Sequence, residues 1–152
     1  MSVHSMKQWS DLAAKLKPAD GMFLDGQFVA SASGKTFDSI NPATGDVLAQ
    51  VAEGDAVDID RAVSLARARF ESGVWANESP MNRKAVLLRL AELIRDNLDE
   101  LALLDSLDMG KPVEDAATID VPGSALFFQW YAEAIDKIYD EVAPTGAGDL
   151  AM

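Results

Sequence analysis

The sequence predicts an α/β chain rich in helix: a small antiparallel β-meander followed by about four helices. Three observations predict it. Asp25-Gly26 lies between short apolar stretches, and both central positions of such a hairpin turn need positive φ. At Asp55 the apolar spacing changes from alternation to steps of three and four. Beyond Ser79 come long apolar runs that begin with helix-capping residues.

Taken in order, Trp9, Leu12, Ala13 and Leu16 fall on one helical face, and "KPADG" stops that helix. Strands are expected near 22–24, 27–31, 36–40 and 47–52, separated by Asp25-Gly26, "SASGK" and "NPATG". Asp55 can cap the next helix, with Asp58 three residues on. Its stripe is Ile59, Ala62, Val63, Ala66 and Phe70, and Gly73 closes it. Ser79 and Pro80 suit the cap and first position of another helix, with Leu87, Leu90, Ala91, Ile94 and Leu98 as its buried face. Asn97 and Glu100 have capping-box spacing, so a further helix is expected to run to Met109 and stop at Gly110. "VEDAATID" is ambiguous. Pro122 then opens a broadly aromatic helix through Phe127, Phe128, Trp130, Tyr131, Ile135, Ile138 and Tyr139, too wide for one narrow stripe. "TGAGDLAM" reads as a loop and the start of another apolar run. No repeat or linker marks a second domain.

Composition excludes several chemistries. The chain has 152 residues, 49% of them apolar, and a formal charge of −12, which repels phosphate backbones and anionic lipid. Neither a nucleic-acid nor a membrane partner is expected, and no stretch approaches the roughly 18 apolar residues of a spanning helix. A soluble, cytoplasmic chain is the expectation. There is no cysteine, so thiol nucleophiles, disulfides and zinc ribbons are absent. The one histidine, His4, sits on a terminus expected to be mobile.

Three short motifs fail on context. "SGKT" at 33–36 has Val29 where a phosphate-binding loop needs glycine, and it opens a strand rather than a helix. "GAGDLA" lacks the third glycine of a dinucleotide fingerprint. "GDAVDID" lacks the central glycine and terminal glutamate of a calcium loop, and reads as carboxylates gathered at a helix start. The other carboxylates read as solvated helix faces. One pair is misplaced: Asp105 and Asp108 sit in the last turns of a helix, where negative charge costs roughly 0.3–1 kcal/mol. Either Lys111 and water relieve them, or a cation is held there.

Longer stretches carry a resemblance. "INPATG", "VAEGD", "RKAVLLRLAELIRDNLDELALLDSLDMGKP" and "WYAEAIDKIYDEVA" follow one another in the order of the aldehyde dehydrogenase superfamily, which the chain resembles from about Met22 to its end. "VDIDRA", "DVPGSA", "WYAEAIDK" and "DLAM" look most like the branch acting on γ-glutamyl-γ-aminobutyraldehyde in putrescine degradation. The resemblance implies the N-terminal portion of that fold. Residues 1–20 are then a helical extension, 21–143 part of the cofactor-binding domain, and 144–152 the start of an oligomerisation strand.

It also implies what lies elsewhere. Family members oxidise an aldehyde with NAD or NADP through a cysteine, a glutamate base and an asparagine oxyanion hole, all beyond Met152 in the family order. The segment alone is then expected to bind no nicotinamide and to be inactive. The full enzyme is expected to be a homo-oligomer with an aldehyde as substrate. Members also hold a monovalent cation at positions matching Ser39, Ile40 and Asp108, the first two through main-chain carbonyls. The aldehyde entrance corresponds to Asp120, Gly123 and Phe127, where Pro122 departs from some relatives and leaves the helix path at Val121 open. Two readings stay open: an N-terminal part of such an enzyme, or a non-catalytic association module derived from one.

Overall fold

The computed structural model describes residues 4–138. In it α1 (Met6–Ala13) is followed by strands β1 (Met22–Leu24), β2 (Gln27–Val29), β3 (Thr36–Ile40) and β4 (Val47–Ala52). Helices α2 (Ala56–Glu71), α3 (Pro80–Asp96) and α4 (Leu98–Met109) come next. A short α5 (Val113–Asp115) then runs through a π turn, Ala116–Asp120, into α6 (Val121–Ala134). Tyr139 and the strand expected at 144–152 lie outside the described residues.

The first helix begins with a reciprocal cap that sequence spacing did not single out. Ser5 N–H donates to the Gln8 side chain at 2.8 Å while the Gln8 N–H donates to Ser5 Oγ. That start aims Trp9 inward, onto Ala102 and Leu103 of α4, Ala116 and Ala117 of the π turn, and Val121. His4, expected on a mobile end, is instead held: its Nε2 lies 2.9 Å from Asp99 and its ring meets Trp9 edge-on.

The strands fall almost where expected, but as two separate hairpins rather than one continuous sheet. Asp25 and Gly26 both have positive φ, +49° and +83°, as the two-residue turn requires. β2 ends at Val29, two residues early, because the backbone beyond it has another partner. Ala32 N–H donates to the Asp58 carboxylate at 3.0 Å, and Ser31 Oγ closes the turn on Lys35 O at 2.8 Å. Asp58 also accepts from Asp55 N–H at 3.1 Å, so one buried side chain caps α2 and ties the first hairpin to it. In the second hairpin the register slips between Ser39 and Ile40, where Ala49 and Val47 are the successive partners.

The face of α2 corrects an expectation. Ile59, Val63 and Phe70 are 59%, 61% and 73% exposed, whereas Asp58, Ala62 and Leu65 turn inward. The helical period is present, but no described element covers the stripe. In α3, Ser79 accepts from Asn82 N–H at 3.1 Å with Pro80 in the first turn, as the spacing requires. The capping box at Asn97 and Glu100 does not form. Asn97 Nδ2 donates backward to Leu93 O at 2.8 Å, so that side chain serves the end of α3 instead.

Pro122 lies in the first turn of α6, as expected, but the helical path begins earlier. The helix starts after Pro112 and passes through the π turn, with Val121 at φ −65° and ψ −47° despite the proline that follows. Val121 N–H reaches back to Ala116 O, and this wider turn falls where the ring of Pro122 removes a donor. The helix therefore continues instead of breaking.

Two of the fully enclosed alanines on α6, Ala125 and Ala132, lie along the helix that packs on α3, where Ala91 is equally enclosed. Small side chains permit close approach of two helices but bury little apolar area each. Polar ties flank that contact: Lys84 pairs with Asp136 at 2.7 Å, and Arg95 donates to Gln129 Oε1. Phe70, Trp130 and Tyr131 are each more than half exposed. The chain's own residues leave much apolar surface uncovered.

Asp58→Ala is expected to destabilise the chain by about 2–3 kcal/mol, since charge-accepting bonds from Ala32 and Asp55 are lost together; urea denaturation measures it. Lys84 and Lys137 hold the Asp136 carboxyl down from 3.8 to about 2. A depressed folded pKa gives stability that is present above pH 3.8 and lost as pH falls through about 2. Lys84→Ala should move the Asp136 titration, followed by carboxyl NMR, back toward the ordinary aspartate value.

Candidate functional site

Two places bring together residues far apart in sequence. The first is where the end of β3 meets the end of α4. Ser39 Oγ donates to Asp108 Oδ1 at 2.7 Å, across 69 positions. Gly110 ends α4 at φ +78°, and a Cβ there would stand 3.0 Å from Pro42 Cγ. Glycine is needed twice over, for its left-handed conformation and for the close approach of the "NP" loop. Beside them a cleft of about 390 Å³ is lined by Ser39, Leu48, Leu104, Asp105 and Asp108.

Ser39 and Asp108 are thus in contact, and Ile40 adjoins them with its side chain in solvent. Among the described residues no three acidic or histidine side chains converge as a metal-binding group. The acidic side chains at this place are Asp105 and Asp108, and Asp108 accepts the Ser39 hydroxyl. α4 has no basic residue in its last turn.

Lys111 answers the question of the misplaced acids in an unexpected way. It does not pair with Asp108; its ammonium meets the carboxylate of Asp120, at the end of the π turn. The Lys111 pKa is raised by that contact first, with burial opposing, and then by the nearby charges of Asp120, Asp105 and Asp115. One lysine therefore balances carboxylates from α4, α5 and the π turn, while Asp108 takes a hydroxyl.

The second place is the start of α6. Asp120, Gly123 and Phe127 are spaced by three and four residues and lie on one helix face. Asp120 is held by Lys111, a Cβ on Gly123 would meet nothing within 4 Å, and Phe127 is 68% exposed. The face is open and unobstructed. The Lys111–Asp120 pair and the π turn had no signature in the sequence, because nine residues separate the partners and π turns carry no residue code.

The sequence contains no cysteine, and the buried Asp58 spends its oxygens on backbone N–H groups. Gly34 of "SGKT" sits at φ +70° in the turn that links the two hairpins, and the motif leads into β3 rather than into a helix. No helix among the described residues is long and apolar enough to cross a membrane.

Comparison with known proteins gives this geometry its context. The chain is 47% identical over 152 residues to the NADP/NAD-dependent aldehyde dehydrogenase PuuC of Escherichia coli, spanning 100% of this chain and 31% of that protein. It is 48% identical over 148 residues to the aminoacetaldehyde dehydrogenase of Pseudomonas aeruginosa, covering 97% of the chain and 30% of the relative. A crystal structure of γ-glutamyl-γ-aminobutyraldehyde dehydrogenase from Burkholderia cenocepacia superposes with a TM-score of 0.90 at 48% identity, over 94% of this chain and 29% of that one. The chain thus spans about a third of the length of the relatives it matches. The aldehyde dehydrogenase family model matches residues 28–152, and the chain belongs to that family.

Proposed function

We propose that this chain is the N-terminal third of an NAD(P)-dependent aldehyde dehydrogenase that oxidises γ-glutamyl-γ-aminobutyraldehyde to its acid in putrescine degradation. The observation that carries the reading is the unbroken similarity to PuuC along all 152 residues. The substrate rests on that relative and on the Burkholderia cenocepacia enzyme, whose name states it. Cytoplasmic location and a homo-oligomeric parent belong to the same reading.

Within it, the segment contributes walls and not reagents. Asp120, Gly123 and Phe127 form one side of the aldehyde entrance, with Gly123 keeping the passage wide. The nicotinamide site belongs, in this reading, to the remainder of the protein. The nucleophilic sulfur is likewise supplied from there, which makes the segment inactive alone. Ser39, Ile40 and Asp108 hold a monovalent cation that screens the acidic end of α4. The association-module reading keeps one observation in its favour, the uncovered aromatic face at Phe127, Trp130 and Tyr131.

The purified 152-residue chain, incubated with the aldehyde and NAD or NADP, should give no reduced nicotinamide, whereas the longer reading frame should give it and lose it when its cysteine is replaced. Turnover by the isolated chain would refute the proposal. A native stop codon after Met152 would decide for the association module. The isolated chain should also bind a hydrophobic dye and self-associate in analytical ultracentrifugation. In the full-length protein, sodium or potassium should raise the melting temperature relative to a bulky organic cation, and Asp108→Ala should abolish the difference.

A further inference from the structure

We propose that Lys111 is a positioning residue for the aldehyde entrance: by clasping Asp120 it holds the π turn in the register that points the Asp120, Gly123 and Phe127 face into the passage. This rests on the reading that the start of α6 lines that passage, and adds the device that aims it. Three observations carry it.

A π turn inserts a residue into the helical ladder, so it sets the rotation of everything after it about the helix axis. Here the turn is anchored from within. Ala116, Ala117 and Val121 are buried in the cluster beneath Trp9, and turning α6 would expose them. From without, the anchor is Lys111, whose ammonium meets Asp120 one residue before Val121.

The Asp120 side chain is 38% exposed, but not at the oxygen that meets Lys111. Its Oδ2 is shielded from solvent, and the Lys111 ammonium is the partner the structure gives it. Removing Lys111 leaves that oxygen without its partner, and the carboxylate turns toward water if the backbone allows. Three carboxylates act on the same ammonium: Asp105 of α4, Asp115 of α5 and Asp120. Without Lys111 this acidic group loses its cation, and the π turn that carries Asp120 is the irregular part of the helical ladder. The displacement falls on the face that carries Gly123 and Phe127, three and seven positions on.

Lys111 itself is not a catalytic residue. Its ammonium is committed to Asp120, and its neighbours are acids of the scaffold. Its effect should therefore appear in how aldehydes are admitted, not in the chemical step.

The test uses the full-length protein, with straight-chain aldehydes of increasing length as the probe. Lys111→Met is expected to raise KM for the longer aldehydes by about tenfold while kcat and the nicotinamide KM change by less than about twofold. Lys111→Arg should restore KM to within about twofold of the parent, because the guanidinium still reaches a carboxylate. In an Asp120→Asn background, Lys111→Met should have little further effect, since the charge it balances is gone. Gly123→Trp serves as the independent check on the passage.

If Gly123→Trp raises the aldehyde KM and Lys111→Met does not, the positioning role is overturned and the entrance reading stands. If neither changes it, the entrance reading fails and the inference with it. A uniform loss of activity in Lys111→Met that Lys111→Arg does not rescue marks a purely structural lysine and also overturns the proposal. Should Lys111→Met fail to fold, the Lys111→Met/Asp120→Asn double variant is expected to fold, and its failure to do so counts against the clasp.

Discussion

The described structure turns on a small cluster of side chains at which α1, α4 and the π turn meet. Trp9 covers Ala102, Leu103, Ala116, Ala117 and Val121, and nearly every other position depends on where those residues are held. Alanines let the backbones approach closely, so the one large ring fills the remaining space. The cluster decides where the π turn ends, and with it the direction in which Asp120 and Gly123 face. A cap at Ser5 and an acid at Asp99 secure the segment that delivers Trp9 to this place.

Electrostatics supply the second layer of control. With a net charge of −12, the chain has few cations to spare, and it uses them at junctions. Arg69 reaches the hairpin turn at Asp25, Lys84 joins α3 to the end of α6 at Asp136, and Lys111 links the end of α4 to the π turn. The first two join elements that are distant along the chain, and the third spans nine positions. Exposed pairs of this kind contribute little to stability, so their value lies more in fixing geometry than in holding the fold together. Asp58 does the same work without a cation, by accepting backbone N–H groups from two segments.

The balance of covered and uncovered surface matches a chain that spans about a third of the length of its relatives. The enclosed side chains are mostly alanines, while Ile59, Val63, Phe70, Phe127, Trp130 and Tyr131 stand in solvent. A helix can be strongly periodic and still present its apolar stripe outward, because period records which residues share a face and not what lies against it. That is why the stripe of α2 was legible and its burial was not.

Local chemistry made much of this chain readable from its residues. The Asp25-Gly26 turn, the Asp55 and Ser79 caps and the stop at Gly110 each depend on groups within four residues of one another, and each forms as its spacing requires. Asn97 failed for an equally local reason: two helix ends compete for one amide, and the preceding carbonyl took it. Family membership was legible too, from ordered motifs such as "INPATG" and "LDMGKP". Only tertiary structure decided that the strands form two hairpins, that Pro122 lies inside a helix, and that Lys111 serves Asp120 rather than Asp108. Those outcomes follow from which distant groups satisfy a backbone donor or a shielded charge, and no spacing along the chain encodes that choice.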